Sequence, residues 1–126
     1  MITSSLQDYL EIIYNRTKDG SVIKAIDIAH EFNISRASVS EALYRLAQLD
    51  LIKYEPRKNI EITKNGIKEA KLVARKHEIL FEFFNQVLGI DEKNASDNAC
   101  RIEHVIDQEV IERIERHTKE VTGKSI

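Results

Sequence analysis

A chain of 126 residues has room for one or two small domains, and 42% hydrophobic with 32% charged residues describes a globular protein with a core of its own. No apolar run approaches the roughly 20 residues of a membrane span, the start MITSSLQDYLEIIY lacks the basic-then-apolar order of a signal peptide, and a single Cys excludes an internal disulfide, so the expected place is the reducing cytoplasm, with no membrane partner. The net charge of −2 does not favour nucleic acid, and residues 1–62 carry 8 Lys/Arg against 9 Asp/Glu, so any DNA binding has to come from local placement of charge, helped by bound divalent cations.

Only four Gly and one Pro predict mostly helix with short connections. A first helix is expected over 5–17, capped by Ser4 or Ser5, with Leu6, Tyr9, Leu10, Ile13 and Tyr14 at helical spacing. AIDIAHEFN (25–33) reads as a short helix with Ile26, Ile28, Ala29 and Phe32 facing in. After the tight link Asn33-Ile34-Ser35, residues 35–50 read as a helix capped by Ser35, with Val39, Ala42, Leu43, Leu46 and Leu49 on its apolar face. Its opposite face presents Arg36, Ala37, Ser38, Ser40, Glu41, Tyr44 and Arg45. LIKYEPRKNIEIT (51–63) alternates apolar and polar on either side of EPRKN, a hairpin with Pro56 at the turn. Helix, helix, helix, hairpin is the order of a winged helix-turn-helix, whose third helix enters the major groove.

Thr63 is placed to cap a long helix over 64–88, ended by Gly89. Further helices are expected over 94–106 and from Asp107 to about Lys119, with VTGKSI frayed. The fold class is therefore mainly α, a winged helix-turn-helix over 1–63 followed by an all-helical unit over 64–126.

Three groups of metal-ligating residue types stand at helical spacing. Asp8 and Glu11 are three apart; His77 stands alone; Cys100, Glu103 and His104 fall at i, i+3 and i+4, the spacing of neighbours on one helix face. Carboxylate, imidazole and thiolate together suit transition metals, carboxylate favouring manganese and thiolate favouring zinc or iron. Taken singly each has an ordinary reading: a solvated acidic pair, a surface histidine, a small buried thiol. Beside a winged helix, their combination points to a metal-gated switch on DNA.

The chain resembles the diphtheria toxin repressor family of metal-dependent transcription regulators, which includes iron-dependent and manganese-dependent repressors. The resemblance runs over nearly the whole length and rests on DYLEIIY (8–14), VSEALYRL (39–46), ITKNG (62–66), ARKHEIL (74–80), VLGID (87–91) and ACRIEHVID (99–107). Carried over residue by residue, it implies metal ligation by Asp8, Glu11, His77, Cys100, Glu103 and His104, and a helical unit that dimerises. Cys-Arg-x-Glu-His-Val is the iron-type pattern. The manganese type has Glu in place of Cys100, and Asp8 stands where the iron type has Met. The iron type's ancillary site adds two donors to His77, and those positions are Phe81 and Ser96 here. The resemblance thus implies a hybrid, manganese-type architecture without a C-terminal SH3-like domain but with an iron-type thiol. Mn(II) or Fe(II) is the implied cofactor, up to two ions per protomer, with Co(II) or Zn(II) as substitutes. Crowded Asp8, Glu11 and Glu103 carboxylates would repel by about 4 kcal/mol for each pair near 4 Å, loosening the first helix from the long one until a divalent ion reverses the sign.

Double-stranded operator DNA is the expected partner, read by Ser35, Arg36, Ala37, Ser38, Ser40, Glu41 and Arg45, with Lys53, Arg57 and Lys58 as wing contacts to phosphate. Phe83, Phe84, Val87, Leu88, Ile102, Val105, Ile106 and Ile111 make a stripe larger than a small monomer needs, so a two-fold homodimer on a palindromic operator is expected; an intrachain core is the plainer reading. The competing functions are a winged-helix regulator with a non-metal effector and a metalloenzyme. Against the enzyme stand the lack of a separate general base or substrate loop and the scarcity of Gly.

Overall fold

The computed structural model describes residues 3–123, which form six α-helices and one two-stranded hairpin. The chain divides into two compact units between Lys71 and Leu72. Among the described residues no helix is long and apolar enough to cross a membrane.

In the first unit, α1 (Ser4–Thr17) is capped by Thr3, whose hydroxyl accepts from the Leu6 amide at 3.2 Å. This corrects the expectation of Ser4 or Ser5: a cap must sit outside the helix to reach the amide three residues on. Leu6, Leu10 and Ile13 form its buried stripe. Helix α2 (Ala25–Phe32) starts where the Asp27 carboxylate accepts from the Lys24 amide at 2.8 Å, and ends at Asn33, whose left-handed φ of 52° stops the turn. Helix α3 (Arg36–Gln48) is capped by Ser35, which accepts from the Ser38 amide at 3.1 Å, and buries Val39, Ala42, Leu43 and Leu46. Phe32 and Leu49, expected to face in, are 41% and 42% exposed. Both lie at helix ends, past the last position that the apolar stripe covers with neighbours.

Strands β1 (Ile52–Lys53) and β2 (Glu61–Ile62) pair antiparallel, Ile52 opposite Ile62 and Lys53 opposite Glu61. The Ile60 amide donates to the Ile23 carbonyl at 2.8 Å, tying the wing to the segment before α2. At the wing turn Lys58 donates its amide to the Glu55 carbonyl at 3.2 Å, with Arg57 at φ 69°, the arrangement of a type II turn after Pro56. Thr63 caps α4 (Lys64–Glu82) as expected, accepting from the Gly66 amide at 3.0 Å while its hydroxyl donates to the Asp50 carbonyl at 2.7 Å. The division between the units falls inside this helix.

In the second unit the expected helix to residue 88 is α4 followed by a π-helical turn, Phe83–Val87, with Gly89 at φ 71°. Helix α5 (Glu92–Ile102) begins two residues before expectation, because Asp91 caps it by accepting from the Asn94 amide at 2.8 Å. It also ends earlier: Glu103 is its C-cap and His104 lies in the turn beyond. Helix α6 (Gln108–Thr122) runs through Val121 and Thr122 to a left-handed Gly123, so that part of the tail is helical and not frayed; residues 124–126 lie outside the described residues. Ile79, Leu80, Ala99 and Ile111 form the core of this unit, with Phe81, Phe84, Ile102, Ile106 and Ile114 packed against it. Half of the expected dimer stripe is thus intrachain core, while Leu88 and Val105 stay 54% and 76% exposed.

Candidate metal centre and nucleic-acid interface

In the helical unit, α4 and α5 bring together residues more than twenty positions apart. His77 Nδ1 lies 2.8 Å from Glu103 Oε2 and 3.7 Å from Cys100 Sγ. Helix α4 sets His77 one turn before the buried Leu80. Helix α5 buries the small Ala95 and Ala99, which leaves Cys100 exposed at the rim and Glu103 one turn further on. Because Glu103 keeps an αR backbone (φ −53°, ψ −30°), the i, i+3 relation with Cys100 survives the end of the helix. The expectation that His104 shares that helix face is corrected: the turn carries it past the helix, where its Nε2 faces the other Glu103 oxygen at 3.4 Å.

Glu103 is the buried member, 4% exposed, and a buried carboxylate is costly unless its oxygens are engaged. Here each oxygen faces an imidazole nitrogen.

The donors of His77, Cys100 and Glu103 all lie within 4.8 Å of one another. Around a tetrahedral ion with bonds near 2.0–2.3 Å, sulfur and nitrogen donors stand about 3.6 Å apart, close to the 3.7 Å observed. One thiolate, one imidazole and one carboxylate suit a first-row transition metal in chemistry, while the 2.8 Å between His77 Nδ1 and Glu103 Oε2 is a hydrogen bond that has to open to the ~3.3 Å of two donors around a tetrahedral ion. Asp8 and Glu11 belong to the other unit, one turn apart on α1, Asp8 exposed and Glu11 half-buried. Phe81 packs on the core of the helical unit and offers no donor.

In the first unit the polar face of α3 stands clear of the core: Arg36, Ala37, Ser38, Glu41 and Arg45 are exposed and Ser40 half-buried. Ser35 is exposed, but its hydroxyl is engaged in the cap and donates to Ser38 Oγ at 2.9 Å. The wing residues Lys53, Arg57 and Lys58 are exposed. Lys58 pairs with Glu55 at 2.6 Å, and this contact holds the Glu55 carboxyl below its ordinary value and the Lys58 ammonium above its own.

Between α3 and the wing opens a cleft of about 410 Å³ lined by Lys24, Ala25, Ile26, Arg36, Ser40, Tyr54, Pro56 and Arg57. Three cations and no carboxylate line it. Asp19, Asp27 and Glu31 line a separate cavity of the same unit with Arg16 and His30, while Glu41 and Glu55 stay beside the cations of α3 and the wing. The excess of cations is therefore confined to the cleft between α3 and the wing. Sequence reasoning missed Lys24, for which the signal was a basic residue just before the second helix of a helix-turn-helix. It also missed Tyr54, whose ring meets Tyr44 of α3 edge-on at 5.4 Å and holds the wing beside the helix.

Comparison with known proteins agrees with both halves. Residues 1–60 match the model of the iron-dependent repressor N-terminal DNA-binding domain, and residues 63–123 match that of the iron-dependent repressor metal-binding and dimerisation domain. An uncharacterized HTH-type transcriptional regulator of Methanocaldococcus jannaschii is 38% identical over 114 residues, 90% of this chain and 91% of that protein. The HTH-type transcriptional regulator MntR of Shouchella clausii is 32% identical over 114 residues, 90% of this chain and 79% of its own. Among solved structures, T. acidophilum IdeR superposes with a TM-score of 0.72 at 28% identity, covering 94% of this chain and 54% of that one.

Proposed function

We propose, from the premise that this chain belongs to the family of iron-dependent repressors, that it is a metal-dependent transcriptional repressor which binds palindromic operator DNA as a homodimer when loaded with Mn(II) or Fe(II) and controls metal-uptake genes. The family consists of transcription regulators, not enzymes. The observation that carries the proposal is the convergence of His77, Cys100 and Glu103 in the unit that matches the metal-binding domain.

The proposed ligand set is Asp8, Glu11, His77, Cys100, Glu103 and His104, the first two and His104 added on the residue-by-residue resemblance. A bound divalent ion supplies positive charge and directional coordination. Asp8 and Glu11 contribute negative charge and hard oxygen donors from α1, the helix that buries Leu6, Leu10 and Ile13 in the core of the DNA-binding unit. Glu103 contributes a carboxylate already oriented by two imidazoles.

On DNA, Arg36 would pair with guanine, Glu41 would accept from cytosine and Ala37 would meet a thymine methyl; their exposure on α3 supports this. Ser38, Ser40 and Arg45 complete the helix contacts. Lys24, Lys53, Arg57 and Lys58 are phosphate contacts that position the helix without reading sequence. The exposed Leu88, Val105 and Val110 of the helical unit support the homodimer, since such side chains gain by mutual burial.

The test is DNA affinity measured against a series of Mn(II), Fe(II), Co(II) and Zn(II), with and without chelator. The proposal expects tight binding only with metal; equal affinity in chelator would favour a non-metal effector.

A further inference from the structure

We infer that Asp50 and Asn65 are a positioning pair for DNA binding: the Asp50 carboxylate holds the start of α4 against the end of α3 and so sets how the helix and the wing meet the duplex together. The inference rests on the proposed reading of α3 as the helix that enters DNA, and deepens it.

Helix α3 closes with the Asp50 amide donating to the Ala47 carbonyl at 3.0 Å and the Leu51 amide to the Leu46 carbonyl at 3.0 Å, the paired bonds of a Schellman motif. Asp50 occupies the left-handed position of that motif, at φ 60°, where glycine is the ordinary residue. An aspartate there has two local costs. Its Cβ crowds a left-handed backbone, and its carboxylate stands at the negative end of the α3 dipole. Burial offsets neither, because the side chain is exposed. What the carboxylate adds is a hydrogen bond: Asn65 Nδ2 donates to Asp50 Oδ2 at 2.9 Å. A residue kept in a costly conformation against local stability points to a task elsewhere.

Its place in the fold says which task. Asp50 lies two residues before β1, and Asn65 three residues after β2, so the pair spans the base of the wing. The wing itself is slight, its strands sharing two residue pairs. Beside the pair, the Thr63 amide donates to the Leu51 carbonyl at 3.1 Å and the Thr63 hydroxyl to the Asp50 carbonyl at 2.7 Å. Those bonds use the backbone of residues 50 and 51 and persist whatever side chain stands at 50. The carboxylate adds the link from the end of α3 to a side chain of α4. Losing it leaves every proposed DNA contact in place, on α3 and on the wing, but frees the angle between the two groups. Affinity for DNA should then fall while stability does not.

The experiment compares the full chain with Asp50→Gly, Asp50→Asn, Asn65→Ala and the double variant Asp50→Gly/Asn65→Ala, by urea denaturation and by titration of the DNA that the parent selects from random sequence, in the metal that gives the parent its tightest binding. Asp50→Gly relieves both local costs, so its denaturation midpoint should equal or exceed the parent's, while its DNA affinity falls about three- to tenfold, the worth of one hydrogen bond. Removing a negative charge would by itself strengthen binding to a polyanion, so the expected loss is opposite in sign to the electrostatic effect. Asp50→Asn keeps an acceptor for Asn65 and tolerates the left-handed backbone; it should bind at least as tightly as the parent. Asn65→Ala should lose as much affinity as Asp50→Gly, and the double variant no more than either alone. DNA binding by Asp50→Gly equal to the parent's, a loss of affinity that tracks a loss of stability, or additive losses in the double variant would each overturn the inference alone. A parent that binds no DNA in any metal or in chelator would sink the proposed function and this inference with it.

Discussion

Arg45 reaches back one turn along α3 to Glu41, Nη2 to Oε1 at 3.0 Å, on the face that the core does not use. Both side chains are more than half exposed, so the pair adds little to stability. If this face reads DNA as proposed, Glu41 both fixes Arg45 and keeps an oxygen for a base edge.

Glu41→Ala should therefore change base preference, by removing a cytosine acceptor and releasing Arg45. Lys24→Ala and Lys58→Ala should instead weaken all sequences alike and lower the salt dependence of binding by about one unit of slope each. Selection from random DNA together with salt titrations separates the two kinds of residue. Similar losses for Glu41→Ala on selected and random DNA would remove it from the readout set.

Arg57 has a conflict between backbone and side chain. Its φ of 69° suits glycine, yet the proposed phosphate contact calls for a cation at the wing. Arg57→Gly should be about 1 kcal/mol more stable than Arg57→Ala, while both lose DNA affinity to a similar extent. Urea denaturation and DNA titration of the two variants check this; equal stabilities would mean that the turn is not strained.

Gly66, one turn into α4, has no room for a side chain: a Cβ there would lie 2.0 Å from the Leu51 carbonyl oxygen and 2.7 Å from Ile62. The obstacle is backbone and cannot swing aside. Gly66→Ala should destabilise the fold by about 1–3 kcal/mol or more, despite the higher helix propensity of alanine. An unchanged denaturation midpoint would show that the β1–α4 junction yields.

Cys100→Glu restores an all-oxygen-and-nitrogen donor set and should lower the manganese needed for DNA binding while raising the cobalt or iron needed. Peroxide should impair the parent more than this variant, because the thiol is the oxidisable group. If the manganese and cobalt activation curves are both unmoved, Cys100 is not a ligand.

The protein should be a dimer with and without metal, since the exposed Leu88, Val105 and Val110 are not metal donors. Sedimentation in chelator should give twice the chain mass of 14.5 kDa; a monomer there would refute a constitutive dimer.

Apolar periodicity and capping residues made the element order legible in the sequence, because both signals are local: Leu6, Leu10 and Ile13 mark α1, Val39, Leu43 and Leu46 mark α3, and Thr63 marks the start of α4. Residue type alone nominated Cys100, Glu103 and His77, and six matching segments placed them in a family. Tertiary structure decided the rest. That one Glu103 oxygen meets His77 depends on how α4 packs against α5, across 26 residues of sequence; the other oxygen faces the neighbouring His104. That α5 stops at Ile102 and leaves His104 in a turn is set by where the chain must bend, and helical spacing cannot report it. Lys24 joins Arg36 and Arg57 around one cleft only because α2, α3 and the wing converge there. Patterns along a chain record which face each element buries; which side chains meet is decided by packing between elements, and no local period encodes it.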